Sequence, residues 1–185
     1  MQDTMNIVGL SGNIADVDSN NKLIVAASIL PAIAASAHED REAYAWTSVT
    51  ANIDATDTAI LLCNNSTSKH LHVTKAYIYS DVPSQLQFHF PAYPTLAGTA
   101  ITGMALNRTS GIVADATCIG DETGNTQANI FLTISSNELT TDQHGIWVNL
   151  EGAVILGYHD CIAIDVVAEA AAYNAGFIGY FHSHD

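Results

Sequence analysis

The stretch QLQFHF, residues 85–90, alternates apolar and polar side chains without interruption. Successive side chains of a strand point to opposite faces of its sheet, so this pattern predicts a β-strand with one buried face. In this register three side chains point into the core and three away from it: Leu86, Phe88 and Phe90 inward, and Gln85, Gln87 and His89 outward.

Similar patterns occur on both sides of this stretch, separated by turn-forming clusters such as DATD and SDVPS. The further candidate strands are 22–27, 42–53, 58–63, 70–79, 128–134, 146–149, 152–156, 161–167 and 176–182. Residues 168–175, AEAAAYNA, favour a loop or one short helix between two strands. Eight to ten short strands at regular spacing predict an all-β fold, an antiparallel β-sandwich with a jelly roll as the favoured topology.

The apolar run LIVAASILPAIAASA, residues 23–37, follows Lys22 and partly imitates a secretory signal peptide. However, 21 residues precede Lys22, Pro31 interrupts the run, and the run is too short to span a membrane. We interpret it as a strand followed by an apolar arm. The chain is therefore predicted to divide into an N-terminal strand and extended arm, 1–37, which packs partly on a neighbouring subunit, and a β-sandwich domain, 38–185.

The charge of the chain argues against two classes of partner. Its 185 residues include 5 Lys or Arg and 19 Asp or Glu, which gives a net charge of −14, and no basic cluster occurs. A nucleic-acid backbone would be repelled, and an anionic membrane surface is disfavoured for the same reason. We therefore expect neither nucleic acid nor membrane as a partner.

The three cysteines, Cys63, Cys118 and Cys161, are odd in number, far apart in sequence and form no CxxC motif. Free cysteines commonly behave as small buried apolar residues. The sequence therefore predicts three buried thiols in a reducing compartment.

Two histidines stand one residue apart in SKHLHVTKAYIYS, residues 68–80. In a strand, His70 and His72 share a face, as in the His-x-His strand of cupin metal sites. Cupins also need a Glu a few residues later, where this chain has Lys75, which strand parity would place on the opposite face. His89 would complete a three-histidine site only if its strand lay beside this one. We therefore interpret His70 and His72 as a polar strand face without a functional metal.

Two weaker patterns could also bind cations. His182 and His184 form a second His-x-His beside Asp185, which we interpret as an exposed strand end. Asp115, Asp121 and Glu122 suggest a calcium loop, but their spacing does not match an EF-hand. No GxSxG, HExxH, GxGxxG or P-loop motif occurs, so we expect no catalytic, cofactor-binding or metal-binding residue.

Three longer stretches resemble structural proteins of tailed bacteriophages: NIVGLSGNIADVDSNNKLIVAA (6–27), ILLCNNSTSKHLHVTKAYIYSD (60–81) and GTAITGMALNRTSGIVADATCIGDETGN (98–125). The resemblance extends from about residue 6 to the final GYFH and consists of strand-and-turn signatures. It implies a β-sandwich virion protein, either a head-decoration or a tail-associated subunit, and no catalytic residue.

The expected function is thus that of a non-enzymatic virion component, made in the host cytoplasm. Its expected partners are further copies of itself, in a trimer, and other virion proteins such as the major capsid protein or tail components. A first alternative is a jelly-roll module that binds a host surface or glycan through exposed loop aromatics, with Tyr93 and Tyr173 as candidates. A second alternative is a cupin-like metal enzyme, which the missing Glu disfavours.

Overall fold

The structure is a computed structural model of the chain. It describes residues 7–8, 14–17, 23–24, 32–37, 41–50, 53–54, 57–82, 84–93, 97–124, 129–136, 145–168 and 172–183. Its internal contacts divide the chain into two compact units, 1–31 and 32–185. The predicted division into 1–37 and 38–185 stays a prediction.

The described part of the first unit is a small antiparallel sheet in the order β1-β2-β3. Its strands are β1 (Ile7–Val8), β2 (Ile14–Val17) and β3 (Leu23–Ile24). The strand predicted at 22–27 is thus present in its first part. The apolar arm predicted to follow it falls largely outside the described residues.

The second unit begins with one helical turn, α1 (Ala32–Ala35), and continues in strands. In chain order these are β4 (Ala43–Thr50), β5 (Thr58–Asn64), β6 (Lys69–Ser80), β7 (Ser84–His89), β8 (Thr99–Ala100), β9 (Met104–Ala105), β10 (Ala116–Glu122), β11 (Ile130–Ser136), β12 (Ile146–Leu156), β13 (Cys161–Val166) and β14 (Tyr173–Ser183). Every strand predicted in this unit lies within or overlaps one of them. The predicted strands 146–149 and 152–156 are the two halves of β12. Strand β14 begins at Tyr173, so the last three residues of the segment 168–175, predicted as a loop or one short helix, belong to a strand.

The strands form two antiparallel sheets that pack against each other, which confirms the predicted all-β sandwich. One sheet has the order β12-β6-β14-β4-β9 and the other β11-β7-β13-β5-β10-β8. The core between them contains buried side chains from both sheets, including Trp46 and Phe177 from the first and Ile60 and Phe88 from the second. Removal of this apolar surface from water is the main favourable contribution to folding.

Strand β7 confirms part of the register predicted for it and corrects the rest. Leu86 and Phe88 are fully buried in the core, as expected. Phe90 is 37% exposed, because β7 ends at His89 and the alternation ends with it. His89, predicted to face outward into solvent, is 0% exposed. The outer face of this sheet is therefore buried at His89, whereas Gln85 on the same face is exposed.

Strands β5 and β13 are buried on both faces, which also corrects the prediction for the cysteines. A second apolar cluster lies on the face opposite the main core: Leu61, Cys63, Ile119, Cys161 and Ala163. Cys63 and Cys161 are directly opposite each other in the β5–β13 pair, with Cα atoms 4.1 Å apart, and form a disulfide. The prediction of three free thiols is wrong for these two and holds for Cys118, which is free and buried.

Candidate functional site

His70 and His72 lie beside His182 on the outer face of the five-stranded sheet. Strands β6 and β14 are neighbours, and His70 is directly opposite His182. The ring of His72 stacks on that of Tyr180, with centroids 4.9 Å apart and planes 11° apart, and its centroid lies 6.0 Å from that of His182. His184 and Asp185 fall outside the described residues.

A β-bulge changes the position of Lys75 on this face. Ile178 pairs with Lys75, whereas Gly179 pairs with Val73, so Thr74 is the extra residue of β6. A Cβ atom at Gly179 would lie 2.6 Å from the carbonyl oxygen of His72, so this close approach requires glycine. The extra residue brings exposed Lys75 to the same face as the histidines, and the parity prediction for it is wrong.

The histidine cluster is described best as a polar strand face. Burial, together with the neighbouring His182 and His70, lowers the pKa of His72 below its usual value. His89 lies in the other sheet, so it does not join this group. Within the described ranges, no three His, Cys, Asp or Glu residues are arranged to hold a metal ion.

The lowered pKa of His72 makes the free energy of unfolding depend on pH. The folded state favours neutral His72, so below the usual value of 6.5 the unfolded state binds more protons. The free energy of unfolding should therefore fall as the pH drops below about 6.5. Urea unfolding at pH 7.5, 6.5 and 5.5 measures it, and replacing His70 and His72 together with Gln should reduce the loss. An equal loss in that double variant would contradict this role.

His89 belongs to a separate, buried polar network in the six-stranded sheet. His89 Nε2 lies 2.9 Å from Asp165 Oδ2, and both side chains are fully buried. Thr58 Oγ1 donates a 2.7 Å hydrogen bond to Asp165 Oδ1. In a nucleophile relay the hydroxyl would donate to the histidine. Here it donates to the carboxylate, and full burial excludes substrate, so the network fits a structural role.

The acidic residues Asp115, Asp121 and Glu122, whose spacing does not match an EF-hand, are not brought together. Asp115 precedes β10, while Asp121 and Glu122 end it, so about 20 Å of strand separates them. Glu122 is buried, and its Oε1 accepts a hydrogen bond from the backbone N–H of Gly124. Asp115 therefore lies too far from Asp121 and Glu122 to share one calcium ion with them.

The clearest surface feature is a group of three aromatic rings at one end of the six-stranded sheet, which we call the aromatic stack: Tyr93, Tyr158 and His159. The ring centroid of His159 lies 4.1 Å from that of Tyr93 and 3.8 Å from that of Tyr158. The interplanar angles are 32° and 25°, so the rings are close to parallel. Tyr158 is 53% exposed and Tyr93 40% exposed.

The turn between β12 and β13 positions two of these rings. The N–H of Asp160 donates to the carbonyl of Gly157 at 3.1 Å, and the N–H of Gly157 donates to Asp160 Oδ2 at 2.9 Å. His159 has a φ of 64°, which is uncommon for a residue other than glycine. Its N–H donates to the carbonyl of Asn64 at 2.8 Å, which ties the turn to the end of β5.

Tyr93, the third ring of the aromatic stack, is held by hydrogen bonds outside this turn. The hydroxyl of Tyr93 donates to Asn65 Oδ1 at 3.0 Å, and Asn65 Nδ2 donates to Thr117 Oγ1 at 3.0 Å. Asn65 follows β5 and Thr117 begins β10, so the tyrosine is attached to two strands of the sheet. The aromatic stack is therefore preorganised by backbone and side-chain hydrogen bonds.

An open pocket of about 350 Å³ lies beside the turn. It is lined by Phe90, Pro91, Ile155, Leu156, Asp160 and Cys161. Phe90 stacks on Phe131 of β11, with centroids 4.5 Å apart and planes 14° apart. The pocket thus combines aromatic and aliphatic walls with one carboxylate.

Sequence reasoning identified only one residue of the aromatic stack. Tyr93 was a predicted loop aromatic and is exposed, whereas the other candidate, Tyr173, is buried and donates its hydroxyl to the carbonyl of Ala59 at 3.1 Å. Tyr158 and His159 were missed. The segment GYHD between two predicted strands was the available signal, because Gly and Asp are typical of a tight turn that exposes its central residues.

No protein-family model, curated protein or solved structure matches this chain. The similarity to tailed-phage structural proteins therefore stays a prediction. In the part of the chain that the structure describes, no helix is long and apolar enough to cross a membrane.

Proposed function

We propose that the protein is a non-enzymatic structural subunit of a tailed-bacteriophage particle, which self-associates into a ring through the two edges of its five-stranded sheet. The observation that carries this proposal is the presence of exposed apolar side chains at both edges of that sheet. Contiguous exposed apolar surface commonly marks an interaction site.

The first apolar edge lies on β12. Trp147 is 61% exposed, although it pairs with Tyr77 of β6 at a ring centroid distance of 4.9 Å. Ile155, near the end of the same strand, is 50% exposed. Tryptophan is among the residues that most often dominate the binding energy of protein interfaces.

The second apolar edge lies at β9 and the loop after it. Met104 is 60% exposed, Leu106 43% and Val113 75%. The N–H of Leu106 donates to the carbonyl of Ala43 at 2.8 Å, so the loop continues from the sheet edge. A different set of residues is therefore exposed at each edge.

Two different surfaces at opposite edges favour head-to-tail association. Such a heterologous interface forms a ring when the rotation between subunits closes, and the ring expected here is a trimer. An interface of this kind buries the apolar side chains of one edge against those of the next subunit.

The order of the strands supports the virion part of the proposal. Strands β4, β6, β12 and β14 belong to one sheet and β5, β7, β11 and β13 to the other. Along these eight strands the chain changes sheet at every step except from β7 to β11, which are neighbours in one sheet. This order favours a jelly roll, a fold used by viral capsid proteins, lectins and cupins. Fold alone does not decide among these, and the phage-like stretches of sequence favour the first.

The first test is a charged substitution at the β12 edge. Trp147→Glu should weaken self-association by about 2 kcal/mol, roughly 30-fold, because it removes a large apolar contact and places a charge in the interface. Sedimentation equilibrium over a concentration series measures this change. Thr67→Glu, an exposed position in the β5–β6 turn, adds the same charge and should leave association unchanged.

A mixing experiment distinguishes head-to-tail from face-to-face association. Trp147→Glu and Met104→Glu each disable one edge, so a mixture of the two should form heterodimers through the one intact pair of edges and no closed ring. A mixture that stays monomeric would contradict the head-to-tail arrangement. Wild-type protein that is monomeric at all concentrations would contradict self-association.

The location of the protein tests the virion assignment directly. Mass spectrometry and immunogold labelling of purified particles should detect the protein at a fixed stoichiometry to the major capsid protein. Its absence from particles, together with its presence in the lysate of infected cells, would contradict the assignment.

A further inference from the structure

We propose that the aromatic stack and the adjoining pocket form a binding site for a neutral saccharide, a function beyond self-association. The site has three elements: exposed aromatic rings, a carboxylate at the pocket wall, and a backbone scaffold that fixes both. None of its residues belongs to the two apolar edges except Ile155, which lines one side of the pocket.

The aromatic faces supply the apolar half of sugar recognition. A pyranose ring presents patches of C–H groups on its faces and hydroxyl groups around its rim. The electron-rich face of a tyrosine attracts the weakly positive C–H groups, as it does other partners with positive edges. Tyr158 lies on a turn whose geometry is already set, and a hydrogen bond to Asn65 fixes Tyr93, so these exposed rings lose little conformational freedom on binding.

The carboxylate of Asp160 supplies the polar half of sugar recognition. Asp160 lines the pocket, is exposed, and uses Oδ2 to accept the N–H of Gly157 at 2.9 Å. A carboxylate has about four lone-pair positions, so capacity remains for sugar hydroxyl donors. The volume of about 350 Å³ lies at the small end of the usual range for small-molecule sites, which suits one terminal sugar ring.

The charge and ring geometry disfavour other ligands. The residues that form the aromatic stack and the pocket lining include Asp160 and no Lys or Arg, and the chain carries a net charge of −14, so an anionic ligand would be repelled. Quaternary ammonium groups prefer a cage of aromatic walls around the cation. In the aromatic stack the interplanar angles of 25° and 32° instead place the rings roughly face against face.

The disulfide adds rigidity at the base of this site. Cys161 lines the pocket, directly follows Asp160 and is bonded to Cys63 of β5. The N–H of Asn64, the next residue of β5, donates to the carbonyl of Asp160 at 3.1 Å. The turn that carries the carboxylate and two rings is therefore attached to the sheet at adjacent residues.

The test uses the full-length protein with a printed array of neutral and sialylated glycans. Solution titrations then follow with hexasaccharides of glucose, galactose, mannose and N-acetylglucosamine, and with choline. Binding of at least one neutral saccharide is expected, with perturbation of tyrosine ring signals in the NMR spectrum. Tyr158→Ala should weaken it at least about tenfold, which corresponds to about 1.4 kcal/mol.

A matched control separates the site from general surface effects. Tyr79→Ala removes a half-buried tyrosine from the outer face of the other sheet and should leave saccharide affinity within about twofold. Circular dichroism melting curves verify that both variants are folded. A variant with Trp147→Glu should still bind saccharide as a monomer, so failure of the ring proposal and failure of this one give different results.

Three results would overturn the proposal. They are no binding of any neutral saccharide at millimolar concentration, saccharide binding that Tyr158→Ala leaves intact, and binding of choline or sialylated glycans alone. The last result would identify a cation or anion site in place of a neutral-sugar site.

Discussion

Phe88→Ala is expected to lower the free energy of unfolding by about 3–5 kcal/mol, the usual cost of removing a fully buried phenylalanine. Phe88 is 0% exposed, lies in the core between the two sheets, and contacts Phe131 with ring centroids 6.2 Å apart. Its replacement would leave a cavity that neighbouring β-strands, held by their hydrogen-bond ladders, can close only in part. Urea denaturation at neutral pH measures the loss.

Phe90→Ala is the matched control, because it removes the same side chain two residues later. Phe90 is 37% exposed, and its main partner is Phe131, on which it stacks. We expect a loss of about 1 kcal/mol, typical of one aromatic pair at a partly exposed position. Equal losses at the two positions would contradict the register of β7 and would restore the original prediction that Phe90 belongs to the core.

The alternation in residues 85–90 predicted the strand and its two deepest core residues correctly. It failed at His89, because alternation identifies an outer face but does not tell whether that face is in water. His89 pairs with Asp165, whose strand carries a continuous buried run from Cys161 to Val166. The run CIAIDVV was itself the signal for a strand buried on both faces, and it was interpreted as alternating.

Features that depend on strand order could not be predicted from the sequence. The irregularity at Thr74 becomes visible only when β6 is paired with its neighbours β14 and β12, and it moves Lys75 to the histidine face. The disulfide partners are 98 residues apart, and no local pattern indicates that β5 and β13 are neighbours. A single sequence specifies the faces of its strands far better than their order.

The aromatic stack illustrates the same limit at the level of a site. The turn at residues 157–160 is evident from its Gly and Asp, and Tyr93 was a recognisable loop aromatic. Their proximity follows from the common end of the sandwich at which β7 of one sheet and β12 of the other finish and β13 begins. The contact between Tyr93 and His159 therefore required the structure.

Reduction of the Cys63–Cys161 disulfide is expected to lower the free energy of unfolding by about 2–4 kcal/mol, because the bond closes a long loop and restricts the unfolded chain. The two residues are separated by 98 positions, and the chain-entropy estimate grows with the length of the closed loop. In a domain of this size such a change corresponds to a decrease of roughly 5–15 °C in Tm. Melting curves with and without reductant measure the effect.

Two controls isolate this bond. Replacement of Cys63 and Cys161 together with Ala should reproduce the reduced wild type and remove its sensitivity to reductant. Cys118→Ala should keep that sensitivity, because Cys118 is a free thiol, whose pKa burial raises. Alkylation of denatured, unreduced protein should label one thiol per chain and, after reduction, three. Three labelled thiols before reduction would contradict the bond.

The bond also constrains where the proposed virion protein matures. Thiols of cytosolic proteins are kept reduced, so a subunit made in the host cytoplasm folds with Cys63 and Cys161 unbonded. A single-core unit of this size buries enough surface to fold without a covalent link. The reduced protein should therefore remain folded at 25 °C and form the bond only after release from the cell. We expect free thiols at Cys63 and Cys161 in cell extracts and a disulfide between them in purified particles. Protein that unfolds on reduction at 25 °C would contradict a cytoplasmic origin.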